Sequence, residues 1–186
     1  MRLIIIFLTL LIGSCTNKRL IRDIEQLKSQ RIILPTDLKP IWDGRDTIVT
    51  DFINVPVKMV IWYDSLICAS CEVNRMYEWG QIISSADSLS QWFSIIYLFT
   101  PKNGDVDQVE VKLKADAFNY PIFIDHNAAF VKQNKLPKNR HLHSFLLDKE
   151  NKVVIVGSPL HNPQLWELYK RTINKLISND GLLPEK

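Results

Sequence analysis

The run Val57-Lys58-Met59-Val60-Ile61-Trp62-Tyr63 constrains the fold more than any other stretch of the chain. It is apolar except for Lys58, carries β-branched Val and Ile, and shows no polar alternation. A strand of this composition needs cover on both faces, which puts it in the middle of a sheet. Trp92–Phe99, "WFSIIYLF", reads as a second strand, and Pro121–Asp125, "PIFID", as a short third one. Ser144–Leu147 and Val153–Val156 are two apolar runs around the polar connector "DKENK", the pattern of an antiparallel hairpin.

Helical segments fall between the strands. The spacing predicts a helix over 69–85 with Val73, Met76, Tyr77 and Ile83 inward. Residues 105–118 read as a helix, although the alternation of Val109, Val111 and Leu113 also suits a strand. "NAAFVKQNKL", residues 127–136, is a short helix. The last helix carries the clearest signals: Asn162 as N-cap, Pro163 at the first helical position, then Leu165, Trp166, Tyr169, Ile173 and Leu176 on one face. Trp62, Trp79, Trp92 and Trp166 read as packing residues. The order of elements gives an α/β fold, a mixed central sheet with helices on both faces. It is preceded by an N-terminal helix over Thr16–Arg31, with Leu20, Ile24 and Leu27 on one side.

The start of the chain points to a compartment. One basic residue, Arg2, precedes the apolar run "LIIIFLTLLI", which is too short to cross a bilayer as a helix. A basic start, a short apolar core and small residues after it match a secretory signal peptide. Ile12-Gly13-Ser14-Cys15 resembles the lipobox of bacterial lipoproteins, where the chain is cut before the cysteine and the cysteine is lipidated. That resemblance implies a signal peptide over 1–14, an anchor, amphipathic helix and linker over 15–50, and a folded domain over 51–180. Cleavage before Cys15 leaves 172 of the 186 residues, with 22 Lys and Arg against 20 Asp and Glu, a net charge of +2. Nothing in that balance calls for nucleic acid as a partner. Outside the cytosol disulfides persist.

With Cys15 assigned to lipid, Cys68 and Cys71 are the two cysteines left, and they allow one intrachain pair. The Cys68-Ala69-Ser70-Cys71 stretch stands where a central strand hands over to a helix. Backbone N–H groups at a helix start favour a thiolate on the first cysteine, and the second, one turn on, can resolve a mixed disulfide. The same spacing serves half of a metal site or a small structural bridge. With a structural bridge the domain would be non-catalytic and would only bind; a bridge closing so short a loop removes little chain entropy, and stability alone is a weak reason for it.

The exported chain, the Cys-x-x-Cys at a strand end, the inserted strand and helix and the hairpin "SFLLDKENKVVIVG" together resemble the thioredoxin superfamily. The likeness is to the periplasmic TlpA/ResA-like thiol-disulfide proteins and covers roughly residues 51–178. It implies a thioredoxin-like fold, Cys68 as exposed nucleophile, Cys71 as resolving thiol, and exchange with envelope proteins that carry thiols or disulfides, without a cofactor. The sequence departs from the family at three places. Ile67 stands where a Trp usually precedes the first Cys, and Ala69-Ser70 replaces the usual Gly-Pro or Pro-Pro. Leu142 stands where the family places a cis-proline facing the sulfurs. A cis bond before a non-proline residue costs about 2.5–4 kcal/mol, so a trans bond and a differently shaped loop are expected at Leu142.

Leu142 is flanked by His141 and His143, which on an extended segment would point the same way. Two thiolates and one or two imidazoles would suit Zn²⁺ or copper, giving an alternative metal set of Cys68, Cys71, His141 and His143. The Sco-like copper chaperones of the same superfamily use two Cys and one His, with a longer Cys spacing than this chain has. Either imidazole, when charged, would lower the Cys68 pKa. Asp64 is placed to relay a proton to Cys71, as a buried acid does in the family, and Glu72 near Cys68 would oppose thiolate formation. His126 and His161 read as surface residues. No Gly-rich phosphate loop, Ser-His-Asp signature or zinc-protease helix motif is present.

Overall fold

A computed structural model describes residues 18–36, 38, 40–42, 45–46, 52–102, 106–116, 118 and 120–184. The expected signal peptide and the lipidated Cys15 lie outside the described residues. Helix α1 spans residues 18–28, and strands β1 (Pro40–Trp42) and β2 (Arg45–Asp46) follow. Next come β3 (Val57–Tyr63), α2 (Ala69–Val73), a 3-10 turn (Met76–Trp79), α3 (Gly80–Ser88) and β4 (Phe93–Phe99). After α4 (Val106–Asp116), β5 (Ile122–Ile124) and α5 (Ala129–Gln133) comes a second 3-10 turn, Arg140–Leu142. The hairpin β6 (Ser144–Leu147) and β7 (Val153–Val156) leads into α6 (Pro163–Ile177).

The strands form one sheet in the order β2-β1-β5-β4-β3-β6-β7. β3, β4 and β5 run parallel, β6 is antiparallel to β3, and β7 and β1 are antiparallel to their neighbours β6 and β5. A parallel β-α-β half joined to an antiparallel hairpin and a closing helix is the thioredoxin-like arrangement. Every residue of β3 is buried, as its composition requires. Val57, Met59, Ile61 and Tyr63 face a core made with Val73, Met76, Trp79 and Ile82, with Val109 and Leu113 of α4, and with Tyr169, Ile173 and Leu176 of α6. Val60 and Trp62 face the other side, against Phe130 of α5 and Leu27, Ile32 and Leu34 of the N-terminal segment.

Local chemistry accounts for the elements that match expectation. Asn162 accepts from the Leu165 N–H as N-cap, with Pro163 at the first helical position. In the hairpin connector the Asp148 carboxylate accepts from the Glu150 and Lys152 N–H groups, and Asn151 takes a left-handed conformation that Asn tolerates. Residues 106–116 are helical, with Val109 and Leu113 buried and Val111 turned to solvent, which ends the ambiguity there.

Other elements differ from expectation. The helix over 69–85 is broken: α2 stops at Val73 and the chain passes through a 3-10 turn before α3. That break rotates Tyr77 out, 76% exposed, and brings Trp79 and Ile82 inward in its place. Trp92 sits at the surface end of β4, not in the core. On α1 only Leu27 is fully buried, while Leu20 is exposed. The turn-rich stretch before β3 holds the short strands β1 and β2, paired antiparallel at Ile41–Asp46 and Trp42–Arg45.

The N-terminal segment is fastened by more than apolar contact. The Ile33 N–H donates to Asn134 Oδ1, and Asn134 Nδ2 donates to the carbonyls of Ile33 and Phe130. The Ile32 N–H donates to the Asn151 carbonyl. Asn134 is buried, and its removal takes three hydrogen bonds from the clasp between Ile33 and α5. Asn134→Ala is expected to cost about 1–3 kcal/mol, read as a lower urea midpoint at unchanged slope.

Candidate functional site

The end of β3 and the start of α2 carry the two cysteines, joined in a Cys68–Cys71 disulfide with a Cα–Cα separation of 5.2 Å. Cys68 directly precedes α2. Its carbonyl accepts from the Cys71 and Glu72 N–H groups, and the Cys71 N–H also points at Cys68 Sγ, 3.3 Å away. An amide aimed at that sulfur is a donor that would stabilise negative charge on it once the bridge opens. Both cysteines are exposed. The bridge is presented to solvent.

The loop from Tyr63 to Cys68 is held by Asp64. Its Oδ1 accepts from the Leu66 N–H at 2.9 Å, its carbonyl accepts from the Ile67 N–H, and Oδ2 meets Arg140 Nε at 3.4 Å. Asp64 thus shapes this loop and ties it to the turn before β6. Leu66 projects outward, 71% exposed. A cleft of about 310 Å³ opens beside Cys68, lined by Leu66 and Ile67 on one side and by Lys102 and Gln108 on the other.

The turn Arg140–Leu142 lies at the same end of the sheet, since the Trp62 N–H donates to the His143 carbonyl and Arg140 reaches Asp64. No cis peptide occurs among the described residues, so the bond before Leu142 is trans. Leu142 is buried in the turn. The turn also corrects the reading of the two histidines. The chain is not extended here, so His141 is exposed while the His143 ring is buried against Trp62, with ring centroids 4.2 Å apart. The two imidazoles do not join the cysteines: no group of three or more His, Cys, Asp or Glu gathers to hold a metal among the described residues.

His143 is also not a source of positive charge for Cys68. Its Nε2–H donates to the Pro137 carbonyl at 2.8 Å, and Nδ1 is buried with no hydrogen-bond partner. Burial lowers its pKa below 6.5, a fall that Arg140 reinforces and the Pro137 contact and the Asp64 charge partly offset. A proton on Nδ1 would be buried without an acceptor.

On the other side of the cysteines, Arg75 pairs with Glu72 at 3.8 Å and with Glu78 at 3.2 Å. Glu72 thus has a cation beside it. His161 Nε2 lies 2.8 Å from Glu78 Oε2 and links the loop before α6 to the turn after α2. Hydrogen bonds from Arg75 first and His161 second hold the Glu78 carboxyl below the usual carboxylate range. Tyr63 stacks on Phe99 under this network, and burial pushes its hydroxyl pKa well up. His161, read as a lone surface residue, thus has a partner; His126 is exposed. Sequence reasoning also missed Arg140 and Lys102. Neither carries a motif, and each reaches the site from a distant segment.

No protein-family model matches the chain, and no curated protein matches it by sequence. Solved structures do resemble it. An uncharacterized conserved protein from Geobacillus kaustophilus gives a TM-score of 0.50 at 13% identity, over 84% of this chain and 85% of that one. The exposed lipoprotein thioredoxin of Streptococcus pneumoniae gives 0.48 at 14% identity, over 75% of this chain and 99% of that one. The thioredoxin domain of a thiol-disulfide oxidoreductase from Bacteroides vulgatus gives 0.47 at 14% identity, over 75% and 94%. At such identities the likeness concerns the fold, and what the chain does has to come from the chemistry of the cysteines.

The buried His143 makes stability depend on pH. With a folded pKa below the unfolded value near 6.5, the unfolded chain binds the proton that the folded chain refuses. Its contribution is complete above about pH 6.5 and is lost as pH falls through and below that value, at no more than about 1.4 kcal/mol per pH unit. His143→Phe, which keeps a ring against Trp62, is expected to flatten the decline between pH 7 and pH 5 in urea midpoints.

Proposed function

We propose that the chain is a thioredoxin-like thiol-disulfide oxidoreductase of the bacterial cell envelope, held to a membrane by a lipid on Cys15 and exchanging disulfides with envelope proteins. The observation that carries this reading is the solvent-presented Cys68–Cys71 bridge at the mouth of α2, with the Cys71 N–H aimed at Cys68 Sγ. A buried bridge would have no such use. The sulfurs and the donor beside them are all that exchange requires.

In the oxidised form, a partner thiolate attacks Cys68 Sγ. A bond forms between the two sulfurs, the Cys68–Cys71 bond breaks, and Cys71 leaves as a thiolate that takes a proton. The partner's second thiolate then attacks its own bridged sulfur and expels Cys68. The partner has lost two electrons and gained a disulfide, and this chain holds two thiols. Run in reverse, the same steps reduce a partner disulfide with Cys68 as nucleophile and Cys71 as the resolving thiol. Either direction needs a second dithiol or disulfide protein to reset the pair. The donated Cys71 amide favours Cys68 as leaving group and nucleophile in both directions.

Export and anchoring rest on the first 15 residues. No helix among the described residues is long and apolar enough to cross a membrane. Attachment through Cys15 is tested by exporting residues 16–186 behind a leader that is cut without lipidation: the shortened chain should be in the soluble fraction, where the unaltered chain is expected in the membrane pellet.

The exchange reading is tested by equilibrating the full chain in detergent with dithiol and glutathione redox buffers and counting alkylated thiols by mass. A reversible two-electron transition between about −120 and −270 mV is expected, the range of working oxidoreductases. A bridge that stays closed below about −300 mV would mark a structural disulfide and overturn the reading. Cys71→Ser should accumulate mixed disulfides with envelope proteins, and Cys68→Ser should accumulate few.

A further inference from the structure

Lys102 follows Pro101 in the connection between β4 and α4, the start of the strand-and-helix insertion, and the fold brings it to the cleft that holds Cys68. Three features of this cleft bear on what enters it. Lys102 is exposed and, among the described residues, makes no ion pair or hydrogen bond, whereas Arg75 and Arg140, the cations on the neighbouring turns, are paired with Glu78 and Asp64. Leu66 holds its side chain outward beside the reactive bridge, and the Asp64 contact to its backbone fixes it there. Gln108, across from it on α4, offers an amide that can donate or accept. No carboxylate lines the cleft among the described residues.

We propose that this cleft receives the chain flanking a partner's reacting cysteine and selects a segment with an acidic side chain beside that cysteine. The proposal rests on the exchange reading and adds its substrate class. An extended segment whose sulfur meets Cys68 has its neighbouring residues over Leu66 and against Lys102. An apolar residue covers the leucine, and an Asp or Glu supplies the negative partner that the cleft does not offer Lys102. A lone exposed cation acts chiefly on encounter and orientation, so its effect is a modest one that salt removes. A preference of roughly two- to five-fold is expected for one charge pair at a solvated rim.

The test uses the full chain, reduced and in detergent, with three peptides that differ only beside a central cysteine, where they carry Glu, Gln or Lys. Each cysteine is supplied as a mixed disulfide with thionitrobenzoate. Cys68 thiolate attacks the peptide sulfur, the peptide–thionitrobenzoate bond breaks, and the coloured thionitrobenzoate leaves with the electron pair. Cys71 then attacks Cys68, closes the bridge and frees the peptide as a thiol. The leaving group is the same for all three peptides, so its own charge cancels in the comparison.

At low salt the Glu peptide is expected to react about two- to five-fold faster than the Lys peptide, with Gln between them, and the three to converge at 0.5 M salt. Lys102→Glu should reverse the order while leaving the Gln peptide within about two-fold of its rate with the unaltered chain. Lys102→Gln, the milder change, should bring all three together. Leu66→Ser should slow all three alike. An order that survives both Lys102 substitutions overturns the proposal while the exchange reading stands. If none of the peptides, Gln included, releases colour, the exchange reading falls and the proposal with it.

Discussion

Everything in this molecule depends on a strand that has no face for water. Seven consecutive buried residues in β3 demand cover above and below, and the chain supplies it from two sources. The segments after the cysteines and the C-terminal helix close one face, and the N-terminal segment with α5 closes the other. At roughly 1.5–3 kcal/mol for each large apolar side chain fully buried, losing either layer would leave β3 without enough stabilisation to stay where it is. The cysteines inherit that rigidity. They stand one short loop beyond Tyr63, and Asp64 folds that loop by accepting from Leu66 at one oxygen and holding Arg140 at the other.

The same constraint explains which parts were legible in the sequence. β3, the β6–β7 hairpin and α6 are written in local terms: an unbroken apolar run, two runs around a polar connector, an Asn-Pro start with a regular stripe behind it. Each of those signals lies within a few residues of the structure it specifies. The break after α2 is less local. Helical spacing from Val73 predicts Tyr77 inward, but the chain turns through a 3-10 segment that lets Trp79 reach Tyr97, and tertiary packing wins over periodicity. β1 and β2 are too short to carry a strand pattern.

Within the site, the cysteines were legible because spacing and position on a strand–helix junction are properties of the sequence itself. The histidines were not. Whether His141 and His143 point together depends on the backbone between them, and a 3-10 turn turns one outward and lays the other on Trp62. Among the described residues no three His, Cys, Asp or Glu side chains gather there. Lys102 and Arg140 lie beyond sequence reasoning for another reason. Each approaches the junction from a segment more than thirty residues away, and only the fold brings them there.

The clasp of the N-terminal segment has a bearing on reach. Leu27 and Ile32 are sunk in the core and Asn134 grips Ile33, so α1 is part of the body of the molecule and cannot pay out as a cord. A pull on the chain ahead of α1 would therefore be met by the core itself and not by loose chain, and the Cys68–Cys71 bridge would move with whatever holds that end.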